Sequence, residues 1–173
     1  MEIYFAGTPN SAAEILKSLA SNDLFNIKGV ITQPDKKGKR GNQLIESPVS
    51  LMANSLNLHT YKPHNLIKEH VQNDIDINNA DILLVVAYGK LIPNWILESN
   101  IKAINIHYSV LPNYRGASPI QSSLLNNDKK TGITFMQMSK DLDAGKIIKC
   151  FEIPISENDN KSSLEKKLTE LSI

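Results

Sequence analysis

The stretch DILLVVAYG at residues 81–89 decides the fold. Five consecutive apolar residues, Ile82 to Val86, leave no polar face, which is how a strand reads when both faces of a sheet are covered. Gly89 stops it. Upstream, EIYFAG at 2–7 predicts an opening buried strand ending in a Gly7-Thr8-Pro9 turn. A helix follows over 12–20, with Asn10 or Ser11 as candidate caps and Ile15, Leu16 and Leu19 as its apolar face. Residues 27–32 are a second β-branched run, and 33–43 a polar loop without periodicity. Ser47-Pro48 predicts an N-cap and first helical position for a helix over 48–56. A short strand at 58–61 and a helix at 65–73 lead into the central strand. Downstream come a short helix at 93–97, a strand at 101–109 and a helix at 119–125. Two strands, 132–138 and 146–155, and an amphipathic helix at 162–171 complete the pattern.

Strands alternating with helices predict an α/β fold: a mainly parallel twisted sheet with helices on both faces, Rossmann-like in its layering. In such sheets ligands sit beyond the carboxyl ends of the strands. Gly7, Gly89 and His107 all fall at predicted strand ends.

At 173 residues, 41% hydrophobic and 21% charged, the chain suits one globular domain. With a net charge of +1, attraction to nucleic acid has to come from a local patch. The single cysteine, Cys150, rules out an internal disulfide and a clustered-cysteine zinc site, and fits a reducing compartment. MEIYFAGTP lacks the basic and long apolar segments of a signal peptide, and no apolar run reaches about 18 residues. A cytoplasmic location without membrane contact is expected.

Four features carry candidate chemistry. In the strand at 101–109, Asn105 and His107 lie two apart and so project from one face. A structural histidine satisfied by a neighbouring carbonyl competes, on about even terms, with an amide and imidazole set to stabilise an oxyanion. Asp141 and Asp143, in DLDAG, are ordinary turn residues or a partner orienting His107 and raising its pKa; spacing does not choose between them. Lys36, Lys37, Lys39 and Arg40 are four cations within five residues, a solvated surface run or a phosphate-contacting loop. AGTPN is not GxGxxG and has no acidic residue closing the next strand, which disfavours a dinucleotide site. His59, His64 and His70 are scattered in sequence, and no metal site is expected from them.

FAGTP at 5–9, GVITQPDKKGKRG at 29–41, VVAYGKLIP at 85–93, NIHYSVLPNYRGASPIQ at 105–121 and GITFMQMSKDLDAG at 132–145 together resemble the methionyl-tRNA formyltransferases. Asn-x-His followed by S-x-L-P alone points only to the wider group using 10-formyltetrahydrofolate. That group includes glycinamide ribonucleotide transformylase, nucleotide-sugar formyltransferases and formyltetrahydrofolate deformylase. The resemblance implies formyl transfer from 10-formyltetrahydrofolate to the α-amine of methionyl initiator tRNA, by a monomer. It implies Asn105, His107 and Asp143 as the catalytic amide, imidazole and carboxylate. Ser109, Val110, Leu111 and Pro112 match the folate-binding S-L-L-P segment, with valine second. Arg40, with Lys36, Lys37 and Lys39, matches the loop that inspects the tRNA acceptor end. Those proteins carry a second, β-barrel domain after the catalytic one. Residues 1–173 are therefore expected to be the catalytic domain, ending near its C-terminal boundary without the barrel. An acceptor smaller than tRNA is the alternative this raises, as is a remnant that only binds folate or RNA.

Overall fold

The computed structural model describes residues 1–38 and 43–173, and the chain divides into two compact units, residues 1–102 and 103–173.

In the first unit, β1 (Glu2–Gly7) leads to α1 (Asn10–Ala20) and β2 (Asn26–Ile31). A small ribbon follows, β3 (Lys36–Lys37) and β4 (Leu44–Ile45), then α2 (Pro48–Ser55), β5 (Thr60–Tyr61) and α3 (Lys68–Val71). A 3-10 turn at Ile77–Asn79 precedes β6 (Ile82–Val86), and α4 (Asn94–Leu97) closes the unit. The strands run β5-β2-β1-β6, every pair parallel. Strand β1 therefore has partners on both edges, and the uniform apolar character of 2–7 follows from that position. Phe5, Ala6, Val30, Ile31 and Leu83 are fully buried. Burying such side chains contributes roughly 1.5–3 kcal/mol each, the main favourable balance against chain entropy.

The second unit opens with β7 (Lys102–His107), followed by α5 (Pro119–Leu125), β8 (Lys130–Gln137), β9 (Ile147–Pro154) and α6 (Lys161–Ser172). Strands β7, β8 and β9 form an antiparallel meander. Leu164 and Leu168, four apart on α6, are its fully buried knobs. Asn160 caps α6: its Oδ1 accepts from Ser162 N at 2.9 Å and Ser163 N at 3.1 Å, and Ser163 Oγ accepts back from Asn160 N at 3.0 Å.

The structure revises several local expectations. The helix expected over 65–73 shrinks to the four residues of α3. Leu66 and Val71 are buried, but the run lacks a side-chain cap at its start, and Trp95 Nε1 donates to the Leu66 carbonyl outside the helix. Neither Asn10 nor Ser11 caps α1, which starts after Pro9 with no side-chain cap. Ser47 does cap α2, accepting from Ser50 N at 3.0 Å. The loop over 33–43 contains one strand of a ribbon, with Lys36 opposite Ile45 and Lys37 opposite Leu44. The apolar residues that complete that ribbon lie just past the polar stretch.

Two measurements test this architecture. Gly132 sits where β8 meets β9, and a Cβ there collides with the Phe151 carbonyl. Gly132→Ala is expected to lower unfolding stability by about 1–3 kcal/mol in a urea titration, and an unchanged midpoint would mean the strands are not this close. Asp159 accepts from Lys167 Nζ at 2.7 Å, Ser156 N at 2.8 Å and Ser163 Oγ at 2.8 Å. Lys167 foremost, then the Ser156 amide, holds its carboxyl well below the usual range. The stability this supplies is present above the ordinary carboxylate pKa and is lost as pH falls below about 4 toward the depressed folded value. Asp159→Asn is expected to flatten the acid limb of a melting-temperature versus pH curve, and an unaltered limb would contradict the assignment.

Candidate active site

Asn105 and His107 occupy the end of β7, opposite Met136 and Thr134 of β8, with Ile106 between them facing the other way. His107 is 6% exposed. Its Nε2 lies 2.9 Å from the Tyr114 carbonyl oxygen. A carbonyl only accepts, so Nε2 bears a hydrogen and the tautomer is fixed. That leaves Nδ1 as the working nitrogen, and Asp143 Oδ2 stands 3.7 Å from it. This is ion-pair range, wider than a direct hydrogen bond.

The same Asp143 oxygen accepts from Gly116 N at 2.7 Å. One loop therefore holds both groups: Tyr114 through its carbonyl and Gly116 through its amide. Gly116 has φ +104°, a conformation that excludes most side chains although nothing lies near its missing Cβ. Asp143 is itself left-handed at φ +47°, and Gly145 lets the turn pass the Gln137 carbonyl, where a Cβ would collide. The DLDAG turn is bent so that its second aspartate, side chain 11% exposed, faces the imidazole. Asp141 is exposed and uses its carbonyl for Ser139 Oγ and Ala144 N.

The Asn105 carboxamide, by contrast, is half-buried and makes no side-chain hydrogen bond among the described residues. Its two N–H groups are available to an oxygen from outside. A free neutral donor beside an imidazole with an opposed carboxylate can stabilise a developing oxyanion and pass a proton.

Beyond β7 the turn is fixed from within. Thr134 Oγ1 donates to the Ser109 carbonyl at 2.7 Å and accepts from Leu111 N at 3.1 Å. Ser109 Oγ donates to the Asn113 carbonyl at 2.6 Å. Ser109 is fully buried and Leu111 5% exposed, so their side chains build the turn and offer no surface. Val110, half-buried, and Pro112, exposed after a cis peptide, carry its accessible side. Of the four residues matched to folate binding, only these two have accessible side chains.

The other motifs of the first unit meet at one oxygen. The Tyr88 carbonyl accepts from Thr8 Oγ1 at 2.8 Å and Gln33 Nε2 at 2.9 Å, joining the ends of β1, β2 and β6. The Tyr88 hydroxyl is buried with no partner among the described residues, and burial pushes it up to about 12. Gly89 is required by φ +77° and by the Gln33 amide packed where a Cβ would stand. Asp35 does not face outward with the basic run: Lys62 Nζ binds it at 2.8 Å and Glu46 at 2.9 Å. Burial pulls the Lys62 ammonium down, but the two carboxylates outweigh it and leave it raised. Lys36 and Lys37 are exposed, while Lys39 and Arg40 lie outside the described residues. His59, His64 and His70, scattered in sequence, together line an open cavity of about 730 Å³ in the first unit. Among the described residues no three His, Cys, Asp or Glu side chains are grouped to hold an ion. Nor is any described helix long and apolar enough to cross a membrane.

Tyr114, Gly116 and Thr134 are the site residues that sequence reasoning missed. Their roles run through a carbonyl, an amide and a buried hydroxyl.

Solved structures share this fold. Phosphoribosylglycinamide formyltransferase from Anaplasma phagocytophilum is 19% identical, with 99% of this chain and 79% of that chain covered, at a TM-score of 0.77. The Bacillus halodurans protein of the same name is 21% identical, covering 99% and 89%, at 0.77. Glycinamide ribonucleotide transformylase 1 from Geobacillus kaustophilus is 16% identical, covering 99% and 92%, at 0.80. At these identities the likeness is one of fold, and it bears out the mostly parallel α/β class read from the sequence. The family model described as formyl transferase matches residues 1–172, and the chain thus belongs to the formyl transferase family, whose one-carbon donor is 10-formyltetrahydrofolate.

Proposed function

We propose that this chain transfers the formyl group of 10-formyltetrahydrofolate to the α-amine of methionyl initiator tRNA, with Asn105, His107 and Asp143 as its catalytic groups. The observation that carries the chemistry is an Asn105 carboxamide without a hydrogen-bond partner among the described residues, on the same strand face as the tautomer-fixed His107 and its facing Asp143. Accessible neutral donors suit a formyl oxygen, and Val110 and Pro112 present the apolar side of the adjoining turn to the donor's ring system.

Bound here, the folate supplies a formyl carbon open to attack by an amine. As the amine nitrogen bonds to that carbon, charge grows on the formyl oxygen, and the Asn105 N–H groups are free to receive it. The attacking amine must shed a proton, and the departing folate nitrogen must gain one as its bond to the formyl carbon breaks. His107 Nδ1, the one ring nitrogen not committed to a carbonyl, is the group to take up that proton and release it. Asp143 Oδ2 steadies the ring while it carries the charge.

The acceptor rests on the sequence blocks and on the exposed lysines of the β3–β4 ribbon. Lys36 and Lys37, with Lys39 and Arg40, are assigned to the phosphates near the acceptor end. A second reading, a small-amine acceptor such as glycinamide ribonucleotide, is favoured by the names of the matched structures.

The deciding assay gives the chain 10-formyltetrahydrofolate with charged initiator tRNA, charged elongator methionyl-tRNA, glycinamide ribonucleotide or an amino nucleotide-sugar. Formylation of initiator tRNA, reduced in Arg40→Ala, is expected; exclusive use of a small amine transfers the proposal to the second reading. On the productive acceptor, Asn105→Ala and His107→Ala are each expected to lose about 100–1,000-fold in turnover while melting cooperatively. Near-normal rates in either variant would sink the catalytic assignment.

A further inference from the structure

We infer that Tyr114 and Asp128 form a positioning pair that holds His107 from behind. The inference rests on the catalytic role proposed for His107. The Tyr114 backbone is left-handed at φ +56°, an unusual state for a bulky residue that persists only where surrounding contacts over-determine it. In this conformation its carbonyl meets His107 Nε2. The enforcing contact is at the other end of the residue, where the phenol donates to Asp128 Oδ2 at 2.6 Å. The Asp128 carboxylate, as the main cause, raises the Tyr114 phenol above its ordinary value, so the hydroxyl keeps its hydrogen.

Asp128 is itself tied down. Its other oxygen, Oδ1, accepts from Asn126 Nδ2 at 2.8 Å, and its amide donates to the Ser123 carbonyl at 3.0 Å at the end of α5. A path of short contacts thus runs from the α5–β8 turn, through the phenol, to the ring nitrogen that fixes the tautomer. The pair also lines an open cavity of about 470 Å³ with Val110, Asn113 and Lys130, so the tyrosine is not wedged in place by core packing. Its hydroxyl contact is what sets the rotamer. Neither residue is near enough in role to react; both act through the imidazole.

The test uses the 173-residue chain with 10-formyltetrahydrofolate and charged initiator methionyl-tRNA, or whichever acceptor the assay above identifies. Tyr114→Phe keeps the ring and the carbonyl and deletes only the contact. It is expected to lower kcat by about ten- to a hundredfold, with KM within about twofold and the melting temperature nearly unchanged. Asp128→Asn keeps an acceptor oxygen and is expected to retain most activity, whereas Asp128→Ala should match Tyr114→Phe. The double variant should be no worse than either single one. In the ligand-free protein, Tyr114→Phe should also shift the ¹⁵N resonances of the His107 ring, a readout independent of any acceptor. An unchanged kcat with unchanged ring resonances overturns the pairing, as do losses that add in the double variant. If His107→Ala itself keeps full activity while Tyr114→Phe still shifts the ring resonances, it is the proposed catalytic role that fails and the contact that stands.

Discussion

The hydrogen bond from His107 Nε2 to the Tyr114 carbonyl is the constraint on which the chemistry proposed for the second unit depends. An imidazole has two nitrogens and can present only one of them to a reaction in a defined state. Committing Nε2 to an oxygen that can only accept removes the choice of tautomer and points Nδ1 at Asp143. The loop from Pro112 to Ser118 exists in its bent form to deliver this arrangement. It contains two left-handed residues, Tyr114 and Gly116, and each supplies one of the two backbone contacts. A straighter loop has no geometry in which its carbonyl faces the histidine and its amide faces the aspartate.

The first unit uses the same device on a different scale. A single carbonyl, that of Tyr88, collects the hydroxyl of Thr8 and the amide of Gln33 just past three parallel strands. Strand ends in parallel sheets splay apart as the sheet twists, and a shared acceptor ties them together. This explains why FAGTP, TQPD and AYGK each place a small donor, or the residue that accepts it, immediately after an apolar run. In these motifs the side-chain contacts of Thr8 and Gln33 hold loops together.

Legibility in the sequence followed the same division. Apolar runs at 2–7 and 82–86 marked buried parallel strands because burial on both faces leaves a pattern in composition alone. The Asn105/His107 spacing placed both residues on one strand face because period two is a property of any strand. The choice between Asp141 and Asp143 was not legible from spacing: a left-handed residue and a close approach at Gly145 decide which side chain turns inward. Resemblance to known sequences singled out Asp143, and the geometry places that residue at the imidazole. The helix expected over 65–73 failed for a related reason. Its apolar spacing is real, but nothing in the periodicity says that the backbone around Leu66 is already engaged by Trp95. Backbone carbonyls and amides carry no letter in a sequence, and here they do most of the positioning.

The contrast between Asn105 and its neighbours is the last step. Around it, Ser109, Thr134 and His107 are buried polar groups, and each has found a partner, as groups removed from water must. Asn105 alone among these keeps its carboxamide unspent, and it can do so because it remains half-open to solvent. A side chain that escapes the demand for internal satisfaction, beside His107, Ser109 and Thr134 whose donors are committed, is free to bind something that comes and goes. Its neutrality matters as well. An amide donates to an incoming oxygen without bringing a charge of its own. The geometry therefore sets apart two kinds of group: a tautomer-fixed imidazole facing a carboxylate, and an uncommitted donor open to solvent.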